Sequence, residues 1–347
     1  MSTQIDTDQY SESEQFQQQL PGHYRSILTD FRKITRSFAI FNGLFLFLGV
    51  LEIAALIFLL PWLNESAVLA IILSTLFLTL FSYFVLLFYY QAKKPEQLDE
   101  LIRGFIISCQ SSLGMSITAS HHLSVAEALS KLSQYLTDYE GKMLQVPDRF
   151  PSLTRFITRL SANFYWRDVF NFKQQLLRAA IAQHLHQIRL TPTDIELHAS
   201  LANAYVSLSQ IYKEPKAPSP RPHLNFYKKH SVQCLEKFKM YGSLAIEEFQ
   251  ILNQYAPNDP WIHEQLAAGY RALSLPQEEI REVEFLFKLR PNDKEVLFLL
   301  GTLYFEQGLN AKGLQIYEEL KKANFQRAEN LISTYGQAAQ FQDLLNF

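Results

Sequence analysis

The chain has 347 residues, enough for two or three domains. Its charges nearly cancel, at a formal −2 with a pI near 6.5, which excludes the bulk basic field used to hold nucleic acid. Two cysteines, Cys109 and Cys234, exclude a disulfide framework, and a mean hydropathy of −0.06 despite 27 phenylalanines means that apolarity is concentrated locally.

Residues 1–31 open with "MSTQIDTDQYSESEQFQQQ", which has too little apolar content to fold and is expected to be disordered. It is not a secretory signal, because its first 24 residues lack Lys and Arg and carry Asp6, Asp8, Glu12 and Glu14. Residues 32–95 then hold two apolar runs, 38–60 and 66–90, separated by "PWLNES". At 1.5 Å per residue each run spans a hydrocarbon core of about 30 Å. The pattern predicts a transmembrane helix hairpin with the lipid bilayer as its partner. Trp62, Tyr83, Tyr89 and Tyr90 fall near the run ends, where interfacial aromatics belong. Arg32, Lys33 and Arg36 precede the first run and Lys93 and Lys94 follow the second, while the connection has only Glu65. Basic flanks stay on the cytoplasmic side. The expected location is therefore an integral one, in a bacterial inner membrane with both termini cytoplasmic. Glu52 sits mid-helix with no second ionisable residue for a relay, so a bond to Ser74 or Thr75, or self-association through the hairpin, is favoured over transport.

Residues 96–191 read as an α-helical connecting domain. "SVAE" (Ser124 to Glu127) has capping-box form and predicts a helix through about Tyr139, with Val125, Leu129, Leu132 and Leu136 on one stripe. Pro147 and Pro151 interrupt the pattern, and it resumes from about Leu153.

Residues 192–347 carry an internal repeat. "APNDPWIHEQLAAGY" ends at Tyr270 and "RPNDKEVLFLLGTLY" ends at Tyr304, 34 positions later. A period of this length points to helical hairpins that bury their apolar faces only by stacking. Leu266-Ala267 and Leu300-Gly301 pair a large with a small residue, letting helices approach closely, and the tyrosines fill the space between. The unit resembles the tetratricopeptide repeat family. "LANAY" (Leu201 to Tyr205), "LAIEEFQILNQYAP" and "AKGLQIYEELKKA" extend the likeness, and the helix carrying Ala179 and Ala180 offers a further half unit. His263, Glu279 and Phe325 depart from the family pattern. An insertion at about 214–242 includes the proline-rich "EPKAPSPRP", read as a stiff loop in preference to a polyproline II ligand. "AENLISTYGQAAQFQDLLNF" is expected to cap the array. The fold class is thus all-α: a transmembrane hairpin, a helical domain and a TPR-like α-solenoid.

No phosphate-binding loop, dinucleotide fingerprint, HExxH or GxSxG occurs. His184 and His186, two apart, point to opposite sides of a helix, and Cys109 with His121-His122 lacks an orienting acid. No cofactor is expected, and a non-enzymatic scaffold is favoured over a membrane enzyme or transport accessory. The family likeness implies that first helices line a concave face for a protein or peptide ligand. That places Trp261, Glu264, Ala268 and Arg271 with Glu295, Phe298, Thr302 and Phe305, although the aromatics among them serve equally well as packing groups. The Lys- and Asn-rich pattern that clamps carboxylate tails is absent. A second resemblance, to type III-secreted inclusion-membrane proteins of intracellular bacteria, rests on the two-lobed hydrophobic segment that follows the Ser/Thr/Gln-rich start.

Overall fold

The structure, a computed structural model, describes residues 2–58, 66–113, 119–144, 151–213, 230–333 and 335. Trp62, Glu65, Pro147 and the proline-rich 214–222 lie outside them. All regular structure among the described residues is helical: α1 (Ser2–Phe58), α2 (Ser66–Ser112), α3 (Ala119–Tyr135), a 3-10 turn (Tyr139–Lys142), α4 (Pro151–Leu190), α5 (Ile195–Tyr212), α6 (Ser231–Tyr255), α7 (Pro260–Ala272), α8 (Pro276–Leu289), α9 (Lys294–Glu306), α10 (Asn310–Lys322) and α11 (Ala328–Ile332). These divide into two compact units, the first ending at Gln183 and the second beginning at His184.

In the first unit, α1 and α2 pack together as an antiparallel pair, each long and apolar enough to cross a membrane. Their apolar windows are only 6% and 0% buried, so they are not the core helices of a folded domain. Polar ties set the pairing. Tyr83 Oη donates to Asn42 Oδ1 at 3.2 Å, and Phe41 stacks on Tyr83. Thr79 Oγ1 donates to Glu52 at 2.5 Å. The partner of Glu52 is therefore Thr79, one turn beyond the expected Ser74 or Thr75; Thr75 instead donates back to the carbonyls of Ile71 and Ile72.

Both helices continue well beyond the apolar runs, and their extensions build a four-helix core with α3 and α4. Phe16, Leu20, Ile27 and Phe31 of α1 are buried against Leu98, Ile102 and Phe105 of α2, Val125, Leu129 and Leu132 of α3, and Val169, Phe172 and Leu176 of α4. Residues 16–31, expected to be disordered, are thus helical and contribute to a core. Their spacing of four, seven and four is an amphipathic stripe that a low average apolar content conceals. The α3 stripe Val125, Leu129, Leu132 and Leu136 is buried as expected. The helix nevertheless starts at Ala119, ahead of the "SVAE" signal, and ends at Tyr135. Ala180, expected in a half repeat, belongs to this core, and Ala179 packs against it.

In the second unit each helix from α5 to α11 packs against the next. The 34-residue interval is written into the backbone. Asp259 and Asp293 are extended N-cap residues that accept from Trp261 N–H and Glu295 N–H, and Asp194 does the same for Glu196. Leu275 N–H bonds to Tyr270 O, and Leu309 N–H to Tyr304 O, closing each hairpin's first helix with a six-to-one bond. This closure needs a left-handed residue, and Ser274 (φ 60°) and Gly308 (φ 72°) supply it 34 positions apart. Tyr304 and Ala267 lie in one continuous core with Val283, Leu286, Leu300, Phe305, Ile316 and Leu331. The short α11 begins where a terminal cap was expected, and residues beyond Tyr335 lie outside the described set.

Gly301 marks a close approach in this core. A Cβ there would meet Leu331 Cδ2 at 2.8 Å and Ile316 Cγ2 at 2.9 Å. Gly301→Leu should therefore cost about 1–3 kcal/mol through overpacking, although Leu has the better helix propensity. Thermal unfolding of the detergent-solubilised protein measures this; a raised melting temperature would contradict the packing.

Candidate functional site

The sequence-chosen face lies on α7 and α9, and the structure sorts its members. Trp261 is 37% exposed and meets Phe249 edge-on at 5.8 Å. Ala268 is exposed. The charged residues are engaged locally: Glu264 with Arg290 at 2.6 Å, Arg271 with Glu279 at 2.5 Å, and Glu295 with Arg327 at 2.6 Å. Phe298 is half-buried, 5.9 Å from the Phe325 ring and 4.7 Å beneath the Arg327 guanidinium. Thr302 is half-buried too, and its hydroxyl is spent on the Phe298 carbonyl.

Phe305 does not belong to this surface. It is fully buried, edge-on to Tyr335, with Gly313 so close that a Cβ at that position would lie 2.5–2.8 Å from its ring. The reason is the packing that follows α9: the chain returns over Phe305 at Gly313 and at Tyr335. The remaining face is a ladder of ion pairs around Trp261 and Phe298, with neighbouring turns supplying both charges.

Glu279, which stands where the repeat pattern calls for a small residue, is 4% exposed. Burial pushes its carboxyl pKa up, and the Arg271 guanidinium opposes that shift. The charge there is held by one partner from the surface face.

A second arrangement was missed in the sequence. His198 sits between Glu248 Oε2, 2.6 Å from Nδ1, and the Pro192 carbonyl, 3.0 Å from Nε2. His263 repeats it between Glu282 at 2.6 Å and the Pro257 carbonyl at 2.9 Å. Each histidine follows its proline by six residues, in "TPTDIELH" and "APNDPWIH", which was the available signal; the third unit has Leu297 there. Both ring nitrogens face acceptors, an arrangement that an imidazolium satisfies by donating twice. Burial lowers the His198 pKa, but the Glu248 hydrogen bond, the Pro192 carbonyl and the charges of Glu248 and Asp194 together raise it above the ordinary value. These histidines clip the second helix of a hairpin to the turn that precedes the first.

The remaining reactive groups are placed as packing elements. Cys109 is fully buried, and burial pushes its thiol up to about 12, which makes it a poor nucleophile. His122 Nδ1 lies 2.7 Å from Gln183 Oε1. His184 is buried, and desolvation lowers its pKa to about 4. Among the described residues no three His, Cys, Asp or Glu side chains converge to hold a metal.

Two outcomes follow from this geometry. Phe305→Ala should cost about 3–5 kcal/mol, as a core truncation does, and more than Phe298→Ala; paired melting curves decide it. The His198 pair should stabilise fully below about pH 6.5, the ordinary histidine value, and lose its contribution as pH rises through the raised folded value. The melting-temperature gap between the protein and His198→Leu should therefore narrow between pH 6 and 9, in steps of about one unit. A constant gap would remove the charged-histidine assignment. No family model matches the chain, and no curated protein matches it.

Proposed function

We propose that this protein is a non-enzymatic, membrane-anchored adaptor whose TPR-like repeats hold a protein or peptide partner. The observation that supports it most is the 34-residue recurrence of N-caps and left-handed closures from Asp259 to Leu309. That recurrence is a scaffold of stacked hairpins. The anchor reading is supported by apolar windows whose side chains stand unburied: Leu46, Phe47, Ile53, Phe77 and Phe81 are each more than half exposed. Such a surface is stable in hydrocarbon and not in water. Basic flanks favour cytoplasmic termini.

The partner face comprises Trp261, Glu264, Arg271, Glu295, Phe298 and Thr302. Its anchors are Trp261 and Phe298, since aromatics carry most of the energy at such surfaces. Its ion pairs act as selectors: a ligand must offer charges that replace Arg290, Glu279 or Arg327 as partners, or leave those pairs intact.

A photo-crosslinking residue at the exposed Ala268 tests the face in intact cells. A discrete adduct should form and should weaken when Trp261→Ala is added, with the melting temperature nearly unchanged. An adduct indifferent to Trp261 and Phe298 would move the ligand elsewhere. Topology is tested separately, after replacing Cys109 and Cys234 by alanine. Single cysteines at Gln134 and Gln277 should be shielded from an impermeant thiol reagent in intact cells, and one at Asn64 should react. Labelling at Gln134 or Gln277 in intact cells would reverse the orientation.

A further inference from the structure

One helix of the first unit has an apolar face that nothing in the fold covers. On α4, Phe156 (61% exposed), Leu160 (37%) and Phe164 (65%) recur at four-residue spacing and so share one stripe. Arg155 and Arg159 flank the stripe, and Arg167 stands one turn past Phe164; all three are exposed and form no ion pair among the described residues. The run from Pro151 to Arg167 contains no Asp or Glu.

Two ties fix the direction of α4 relative to the apolar hairpin. Phe172 stacks on Phe31 at 4.4 Å, seven residues before α1 turns apolar at Phe38. Four residues earlier on α4, Asp168 pairs with Lys94 at 2.6 Å, and the Lys94 ammonium lies 4.6 Å over the Phe38 ring itself. Moving towards the N-terminus of α4 is therefore moving towards the apolar spans. The next turns, carrying Phe164, Leu160 and Phe156, come out at or past the level where the hairpin becomes apolar. At that same level a groove of about 590 Å³ is lined by Phe38, Gln91, Lys94, Arg167, Asp168 and Asn171 among others, a polar chamber at the foot of an apolar helix pair.

We propose that the N-terminal turns of α4 are a third membrane contact, a foot that lies in the bilayer face on the bundle's side and recruits anionic phospholipid. Phe156, Leu160 and Phe164 enter the acyl region. Arg155, Arg159 and Arg167 reach back along their aliphatic stems to lipid phosphates. The groove takes a headgroup at Arg167, since Lys94 is held by Asp168. Charge favours this occupant over a protein: Arg155, Arg159 and Arg167 stand on a run without Asp or Glu, and Asp168 in the groove is already paired with Lys94, so the field left over is cationic and matches a phosphate surface. The foot also explains why Lys94 is committed to Asp168: the pair locks α4 to the end of the second apolar run, and the stripe cannot lift away while the hairpin is inserted.

The inference rests on the hairpin spanning a bilayer, and the experiment separates the two. The full chain, with Cys109→Ala and Cys234→Ala, is reconstituted in vesicles of equal parts phosphatidylcholine and phosphatidylglycerol. Bimane is attached in turn at Phe77→Cys, Leu160→Cys, Phe164→Cys and Gln134→Cys. Brominated lipid should quench positions 77, 160 and 164, and aqueous iodide should quench position 134. Quenching at 77 with iodide access at 160 and 164 would overturn the foot and leave the hairpin standing. No lipid quenching at 77 would overturn the hairpin and the foot with it. Shielding of 160 and 164 from both quenchers would mean that a protein surface covers the stripe, which also overturns the proposal. Brominating only the phosphatidylglycerol should quench position 164 at least about twofold more than brominating only the phosphatidylcholine. The combined Arg155→Gln, Arg159→Gln and Arg167→Gln variant should bring that ratio to unity without changing depth. Equal quenching in the unmodified foot would remove the anionic-lipid assignment.

Discussion

Helices α1 and α2 change surface character along their length without breaking, and the first unit follows from that constraint. Over one stretch their side chains are apolar on every side; over the next, only a stripe is apolar, and the opposite face is polar. A helix satisfies its own backbone hydrogen bonds, so it can carry first one kind of surface and then the other without exposing unpaired groups. The stripe then dictates what is added. Phe16, Leu20, Ile27 and Phe31, with Leu98, Ile102 and Phe105, are two half-covered surfaces, and α3 and α4 complete the cover. A bundle built this way is tied to the angle and register of the apolar pair, which Thr79–Glu52 and Tyr83–Asn42 set.

The second unit solves a different problem. A single hairpin of about 30 residues buries too little to stand alone, so each passes its uncovered side to the next. The caps make this repeatable: Asp194, Asp259 and Asp293 start first helices as N-caps, and the left-handed Ser274 and Gly308 close the last two of them 34 positions apart. The histidine clips at His198 and His263 add a polar lock where the next hairpin has Leu297. Charge on the exposed face is spent on neighbours, in the pairs of Glu264, Arg271 and Glu295. Exposed ion pairs contribute little stability. In the proposed adaptor role their consequence lies in selection, because a ligand would have to compete with pairs already made.

The two surfaces proposed to meet partners differ in chemistry. The α7 and α9 face is mixed, with aromatics set among both signs of charge. The α4 foot is apolar with a rim of one sign. The first suits a ligand with its own pattern of charge; the second suits a continuous phosphate surface.

The sequence by itself determined what depends on composition and period. Apolar runs 38–60 and 66–90 announce themselves because nearly every residue in them is apolar, whatever its neighbours. The 34-residue recurrence of Pro-Asn-Asp and Tyr is legible because each turn and each close approach is a local demand. Tertiary structure decided the rest. Residues 16–31 look disordered on average content, and their four well-spaced apolar side chains gain meaning only when α2, α3 and α4 supply the other half of a core. Phe305 and Phe298 lie seven apart on one helix, and only the packing of α10, α11 and Tyr335 puts one inside and leaves the other half-buried. Glu52 chose Thr79 because the register between two smooth apolar helices is set by contact geometry that neither run encodes alone. Burial is a property of pairs of surfaces, and a single strand of sequence writes only one side of each pair.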